Sequence, residues 1–230
     1  MIHLAPPAHT PAARDRGSAS PTPITQLDRE TIKIADRTHG RCGIPPRFRA
    51  KTFESYRATT PDQQQALRVC RSYAARFAAG ARDGDSLLLL GGPGTGKTHL
   101  ACAILASVIR AGHTGLFMSV PAALRTVRVT YATRAACSES EALVMLTDPD
   151  LLVLDEVGLT IGRDDKRRAM LFDVLDTRYA NLRATILIGN LTDEEMERYL
   201  GERIMDRLCE GDSAVVSFTW PSFRRSGGGV

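Results

Sequence analysis

The 230-residue chain contains no long apolar run, and nothing in it approaches the ~20 consecutive apolar residues that a membrane-spanning helix needs. Its first residues also lack the basic-then-apolar order of a secretory leader. Together these absences predict a cytoplasmic protein with no membrane partner. Cysteine is scarce and unpatterned: Cys42, Cys70, Cys102, Cys137 and Cys209 are odd in number and never form C-x-x-C. That argues against a zinc site or a disulfide framework and predicts buried free thiols. Lysine is nearly missing, supplying only four of the 30 basic residues. Arginine, the better bidentate partner for phosphate, supplies the rest, although a general bias toward Arg and Ala explains this equally well. Acidic residues are absent from two stretches, Arg37 to Lys51 and Ala101 to Ser138. The net charge of +4 therefore matters less than its distribution.

What is present centres on Leu87–Leu100. Leu87 to Leu90 is a short apolar run that reads as a buried strand. Gly91-x-x-x-x-Gly96-Lys97-Thr98 follows, and then Leu100, Ile104, Leu105, Val108 and Ile109 recur at helical spacing. A glycine-rich loop between strand and helix turns backbone N–H groups inward, and the helix adds its positive end. Gly91, Gly92, Pro93, Gly94, Thr95, Gly96, Lys97, Thr98 and His99 are therefore expected to surround the phosphates of a nucleotide. Lys97 would reach the β- and γ-phosphates and Thr98 would ligate Mg²⁺. Leu151–Leu154 is a second apolar run, ending in Asp155-Glu156. Ligands gather at the carboxyl ends of parallel strands. Asp155 is thus a candidate metal ligand, and Glu156 a candidate to polarise an attacking water. Ala184–Gly189 is another buried run, ending in Asn190, whose amide can orient that water or meet the γ-phosphate.

Residues 1–23 and 226–230 read as disordered tails, and 24–52 as a short helix and basic linker. The ATPase-like domain would span 53–225. Phe53 and Tyr56 could line the base pocket or merely anchor the linker. Helices are expected over Asp62–Ala79, Pro121 to about Tyr131, Glu139–Thr147, Asp165–Leu182 and Leu200–Leu208, with Leu171, Val174, Leu175, Tyr179 and Leu182 on the inner side of the fourth. Gly115–Val120 and Ser213–Thr219 complete five strands. The alternation predicts an α/β three-layer sandwich around a mostly parallel five-stranded sheet, without a separate C-terminal lid domain. Arg125, Arg128 and Tyr131 would share one helix face, with Arg134 beyond it. Such a face can hold a phosphodiester backbone and stack a base, and it can equally be a solvated basic face.

The order of motifs resembles the AAA+ ATPases, and within them the DnaC-type replicative-helicase loaders grouped with the IstB transposition ATPases. The resemblance covers about residues 40–225. It rests on Gly43-Ile-Pro-Pro, Phe53-Glu-Ser-Tyr56, Gly92 to Leu100, Leu151–Gly158, Leu200–Leu208 and Trp220-x-Ser-Phe-Arg224. It implies Mg²⁺-dependent ATP hydrolysis, with Asn190 as first sensor and Arg224 as second sensor. It also implies Arg207 as an arginine finger, with Arg203 beside it, completing a neighbouring subunit's site in an ATP-dependent homo-oligomer. The implied partners are single-stranded DNA and a DnaB-type replicative helicase. The alternative from the same resemblance is a transposition helper on duplex DNA, and a nucleotide-gated adaptor without useful turnover is a third reading.

Overall fold

The computed structural model describes residues 41–79, 84–129, 138–158 and 165–224. Residues 1–40, including the expected short helix, lie outside the described residues. In chain order come α1 (Pro61–Ala78), β1 (Leu87–Gly91), α2 (Lys97–Arg110), β2 (Gly115–Ser119), α3 (Val120–Val129), α4 (Glu139–Thr147), β3 (Leu151–Val157), α5 (Asp165–Ala180), β4 (Ala184–Gly189), α6 (Asp193–Leu200), α7 (Glu202–Leu208) and β5 (Ala214–Phe218). The helix starts follow local chemistry. Thr60, Ser138 and Thr192 each cap a helix in a reciprocal box with Gln63, Glu141 and Glu195.

The strands form one sheet in the order β2-β3-β4-β1-β5, with every pairing parallel. Parallel strands are covered on both faces, which is why Leu87–Leu90 is apolar without alternation. Leu87 and Leu89 enter one core with α1 and α2, whereas Leu88 and Leu90 enter a second core on the opposite face with α3 to α7. The three-layer expectation therefore holds. From β1 the chain crosses to β2 on one side, and from neighbouring β4 it crosses to β5 on the other. Adjacent strands that send their connections in opposite directions open a crevice at their carboxyl ends.

Three local expectations are corrected. The helix expected to run to Leu182 is α5 and ends at Ala180, and Leu182, with φ 51°, is 61% exposed rather than packed inward. Tyr179 is likewise exposed, so the inner face is Leu171, Val174 and Leu175. The Leu200–Leu208 segment is broken at Gly201 (φ 82°, ψ 152°), and its helix begins at Glu202. The basic lead-in is also more than a linker. Ile44 is buried in the first core and Phe48 packs against it, so the packed unit extends N-terminal of Phe53.

Arg178 of α5 is fully buried, yet each of its guanidinium nitrogens donates a hydrogen bond. Nε donates to Thr185 Oγ1 (2.9 Å), Nη1 to the carbonyls of Leu146 (3.0 Å), Thr147 (3.2 Å) and Pro149 (2.9 Å), and Nη2 to that of Ala184. Most of these carbonyls close the C-terminal end of α4, where a cation also meets the negative end of the helix. Arg178→Met is expected to lower the unfolding free energy by about 3 kcal/mol or more, because several carbonyls in the interior lose a charged donor. Urea denaturation measures it.

Candidate functional site

The loop between β1 and α2 wraps the carboxyl end of the central strand. Two of its glycines cannot be replaced. Gly94 (φ 78°) and Gly96 (φ 103°) adopt left-handed backbone, and a Cβ at either would meet Ser222 Oγ at 2.1 Å or Tyr56 Cε2 at 2.7 Å. Lys97 begins α2 and is 5% exposed. Its ammonium donates to the carbonyls of Gly91 (2.6 Å) and Gly92 (2.7 Å), and it makes no ion pair among the described residues. Burial pushes its pKa down to about 8, with Asp155 opposing the shift. A buried cation held by neutral oxygens at a helix N-terminus is suited to an anion.

Thr98 Oγ1 donates to Asp155 Oδ2 at 3.0 Å, and Asp155 Oδ1 accepts from the Glu156 N–H at 2.7 Å. Burial raises the Asp155 pKa, against the lowering effect of those hydrogen bonds and of Lys97. Asp155 and Glu156 occupy an irregularity in β3. The register with β4 shifts between Leu154 and Val157, and Glu156 has φ 63°. A bulge re-aims side chains at a strand end, and here Asp155 and Glu156 both reach the same cleft. The hydroxyl and carboxylate oxygens of Thr98 and Asp155 are hard donors that fit Mg²⁺. No cluster of three metal-ligating side chains exists among the described residues.

The cleft encloses about 970 Å³ and is lined by Pro93 to His99, Tyr56, Asp155, Glu156, Asn190 and Arg224, among others. Asn190 follows β4 directly and is exposed to the cleft. His99 Nε2 lies 2.8 Å from the Thr52 carbonyl, which ties α2 to the lead-in segment, and burial lowers its pKa. Tyr56 packs edge-on to His99 and donates its hydroxyl to the Thr95 carbonyl (3.4 Å). Phe53 stands apart. It packs against the first core with the Arg71 guanidinium over its ring, and it is not among the cleft residues. Of the two places expected for Phe53, the base pocket and the anchor, the structure gives the anchor.

Arg203 and Arg207 do not line this cleft. Both reach Asp176 on α5, Arg203 at 3.8 Å and Arg207 in a closer charged hydrogen bond, and Arg207 also lies over the Tyr179 ring. Arg125 is exposed on α3. The side chain of Arg128, and all of Tyr131 and Arg134, lie outside the described residues. Sequence reasoning assigned no place in the cleft to Arg47, Lys51, Arg57 or Trp220, which also line it. The acid-free stretch up to Lys51 was a signal for the first two.

Comparison with known proteins bears on this arrangement. The family described as IstB-like ATP binding protein matches residues 27–226. The chain belongs to that family. Among curated relatives, it is 35% identical over 201 residues to the replicative helicase loader DnaC of Escherichia coli K12, covering 86% of this chain and 79% of that protein. It is 32% identical over 190 residues to the DnaC of Buchnera aphidicola subsp. Schizaphis graminum, covering 82% and 75%. A solved structure of the DnaC helicase loader superposes with a TM-score of 0.66 at 23% identity, covering 75% of this chain and 99% of that one. The replication initiator DnaA bound to AMPPCP and single-stranded DNA superposes at 0.62 with 18% identity, covering 77% and 51%. The fold of this IstB-like protein is accordingly that of an AAA+ ATPase. No helix among its described residues is long and apolar enough to cross a membrane.

Proposed function

We propose that this IstB-like chain is a Mg²⁺-dependent ATPase that assembles with ATP on single-stranded DNA and serves replication as a loader of a DnaB-type helicase. The observation that carries the ATPase part is the convergence of Lys97, Thr98, Asp155, Glu156, Asn190 and Arg224 on one cleft. The loop amides and Lys97 grip the triphosphate. Thr98 and Asp155 hold Mg²⁺, which neutralises phosphate charge when bound. Glu156 takes the proton of the attacking water, and Asn190 orients that water or the γ-phosphate. Arg224, close enough to Lys97 to depress its pKa, adds positive charge over the phosphates. Arg207 lies away from its own cleft, which suits a finger offered to an adjoining copy through a head-to-tail contact. The DNA and helicase parts lean on the relatives named helicase loaders and on the exposed Arg125 of α3.

The family description itself favours a second reading, an IstB-like transposition helper on duplex DNA. Gel filtration with ATP and either single-stranded or duplex DNA separates the two. Larger species with ATP and single-stranded DNA are expected. A chain that stays monomeric and unbound refutes the loader reading, and preference for duplex favours the alternative.

A further inference from the structure

The loop that cradles phosphate is itself held, and two of the holding groups come from the far end of the chain. Each loop carbonyl from Gly91 to Thr95, Pro93 aside, accepts a defined donor. Lys97 Nζ takes those of Gly91 and Gly92, and Thr95 Oγ1 also takes that of Gly92 (2.8 Å). The Phe223 N–H takes that of Gly94 (3.0 Å). Trp220 Nε1 takes that of Thr95 (2.9 Å), and Tyr56 supplies a second, longer donor to the same oxygen (3.4 Å). The indole ring is seated on Phe218 of β5, centroid to centroid 4.8 Å, so its N–H has a fixed direction.

We infer that Trp220 is a positioning residue for phosphate binding, acting through the Thr95 carbonyl. In a trans peptide the carbonyl of one residue and the N–H of the next point in opposite directions. Pinning Thr95 O therefore fixes the plane of the Thr95–Gly96 peptide and the direction of the Gly96 N–H. Amides of such a loop are the donors that meet the anion. Gly96 has no side chain to resist rotation, so its peptide needs an external hold. The Phe223 N–H does the same for the Gly94–Thr95 peptide. The fit is close on both sides: the groups that a Cβ at Gly94 or Gly96 would strike, Ser222 and Tyr56, belong to or flank this clamp. A preorganised cradle loses less freedom on binding, so the clamp raises affinity without touching the ligand.

The inference rests on reading the loop as a triphosphate site, and the experiment separates the two. The full chain is titrated with Mg·ATP by calorimetry. Trp220→Phe keeps an aromatic ring against Phe218 and removes the donor together with one ring of the indole. It is expected to weaken ATP about 3- to 10-fold, the worth of one hydrogen bond, with the thermal midpoint unchanged. Wild-type protein that binds no ATP overturns the nucleotide reading and the inference with it. Wild-type binding with equal affinity in Trp220→Phe overturns the inference alone. If Trp220→Phe also loses stability, Tyr56→Phe and the double variant decide. Two donors on one carbonyl give non-additive losses in ATP affinity, and strict additivity overturns the inference.

Discussion

Arg207→Ala is expected to lower ATP turnover in the DNA-bound assembly by about 10³-fold or more, the range in which an arginine finger acts, while ATP affinity is retained. The reason is positional. Arg207 sits on α7 and is paired with Asp176 and stacked on Tyr179, whereas the cleft of the same chain is built from the loop after β1, the start of α2, the ends of β2, β3 and β4, the lead-in segment and the segment after β5. Its guanidinium therefore leaves its own site's binding groups intact. Lys97→Ala, in contrast, is expected to abolish nucleotide binding, because it removes the cation proposed to grip the phosphates. Mixing the two variants tests action between subunits. A subunit carrying Arg207→Ala still binds ATP, and a Lys97→Ala neighbour still offers Arg207. Random pairing in a head-to-tail assembly restores roughly one productive contact in four. Turnover by the mixture, against none by either variant alone, is the expected result. No recovery would sink the idea of a finger lent across the interface. A thermal scan of Arg207→Ala separates this from simple loss of the pair with Asp176, which is partly exposed and contributes little to stability.

Glu156→Gln is the second large effect. The substitution keeps size and shape but removes the base, so the single-turnover rate is expected to fall about 10²- to 10⁴-fold. Asp155, Thr98 and Lys97 are untouched, so Mg·ATP binding persists and the assembled state accumulates. The measurements are quenched-flow hydrolysis and the oligomer's lifetime with ATP. A rate equal to wild type would instead favour a passive nucleotide-gated adaptor. The bulge makes a further demand on this position. With φ 63°, Glu156 occupies backbone that few side chains adopt, and the strain belongs to a strand end that must aim a carboxylate out of the ladder.

The parts of the fold that were legible are those whose causes are local. Leu87–Leu90 and Ala184–Gly189 are apolar because both faces of a parallel strand are covered, and that is written in four to six consecutive residues. Thr192 and Glu195 cap α6 across a single turn. The strand–loop–helix around Lys97, and the carboxylates and amide at the ends of β3 and β4, follow from short patterns plus the rule that parallel strands open their ligand site at one end. What failed also has a local explanation. Leu182 is apolar and helically spaced, but the helix ends before it and the residue takes a left-handed turn. Phe53 lies three residues from Tyr56, close enough in sequence to suggest a shared pocket. Only packing decides that, of two rings set against the first core, Tyr56 alone also reaches Gly96.

By itself, then, the order of residues determined the sheet, its helices, the phosphate loop and the acidic and amide groups at the strand ends, since each depends on neighbours within a turn or a pleat. The tertiary structure alone decided the bulge that aims Asp155 and Glu156, the pairing of Arg207 with Asp176, and the reach of Trp220 across 125 positions to the Thr95 carbonyl. Those contacts depend on where separate strands and helices come to rest, and no periodicity along the chain encodes the meeting of two side chains that only the closed sheet brings together.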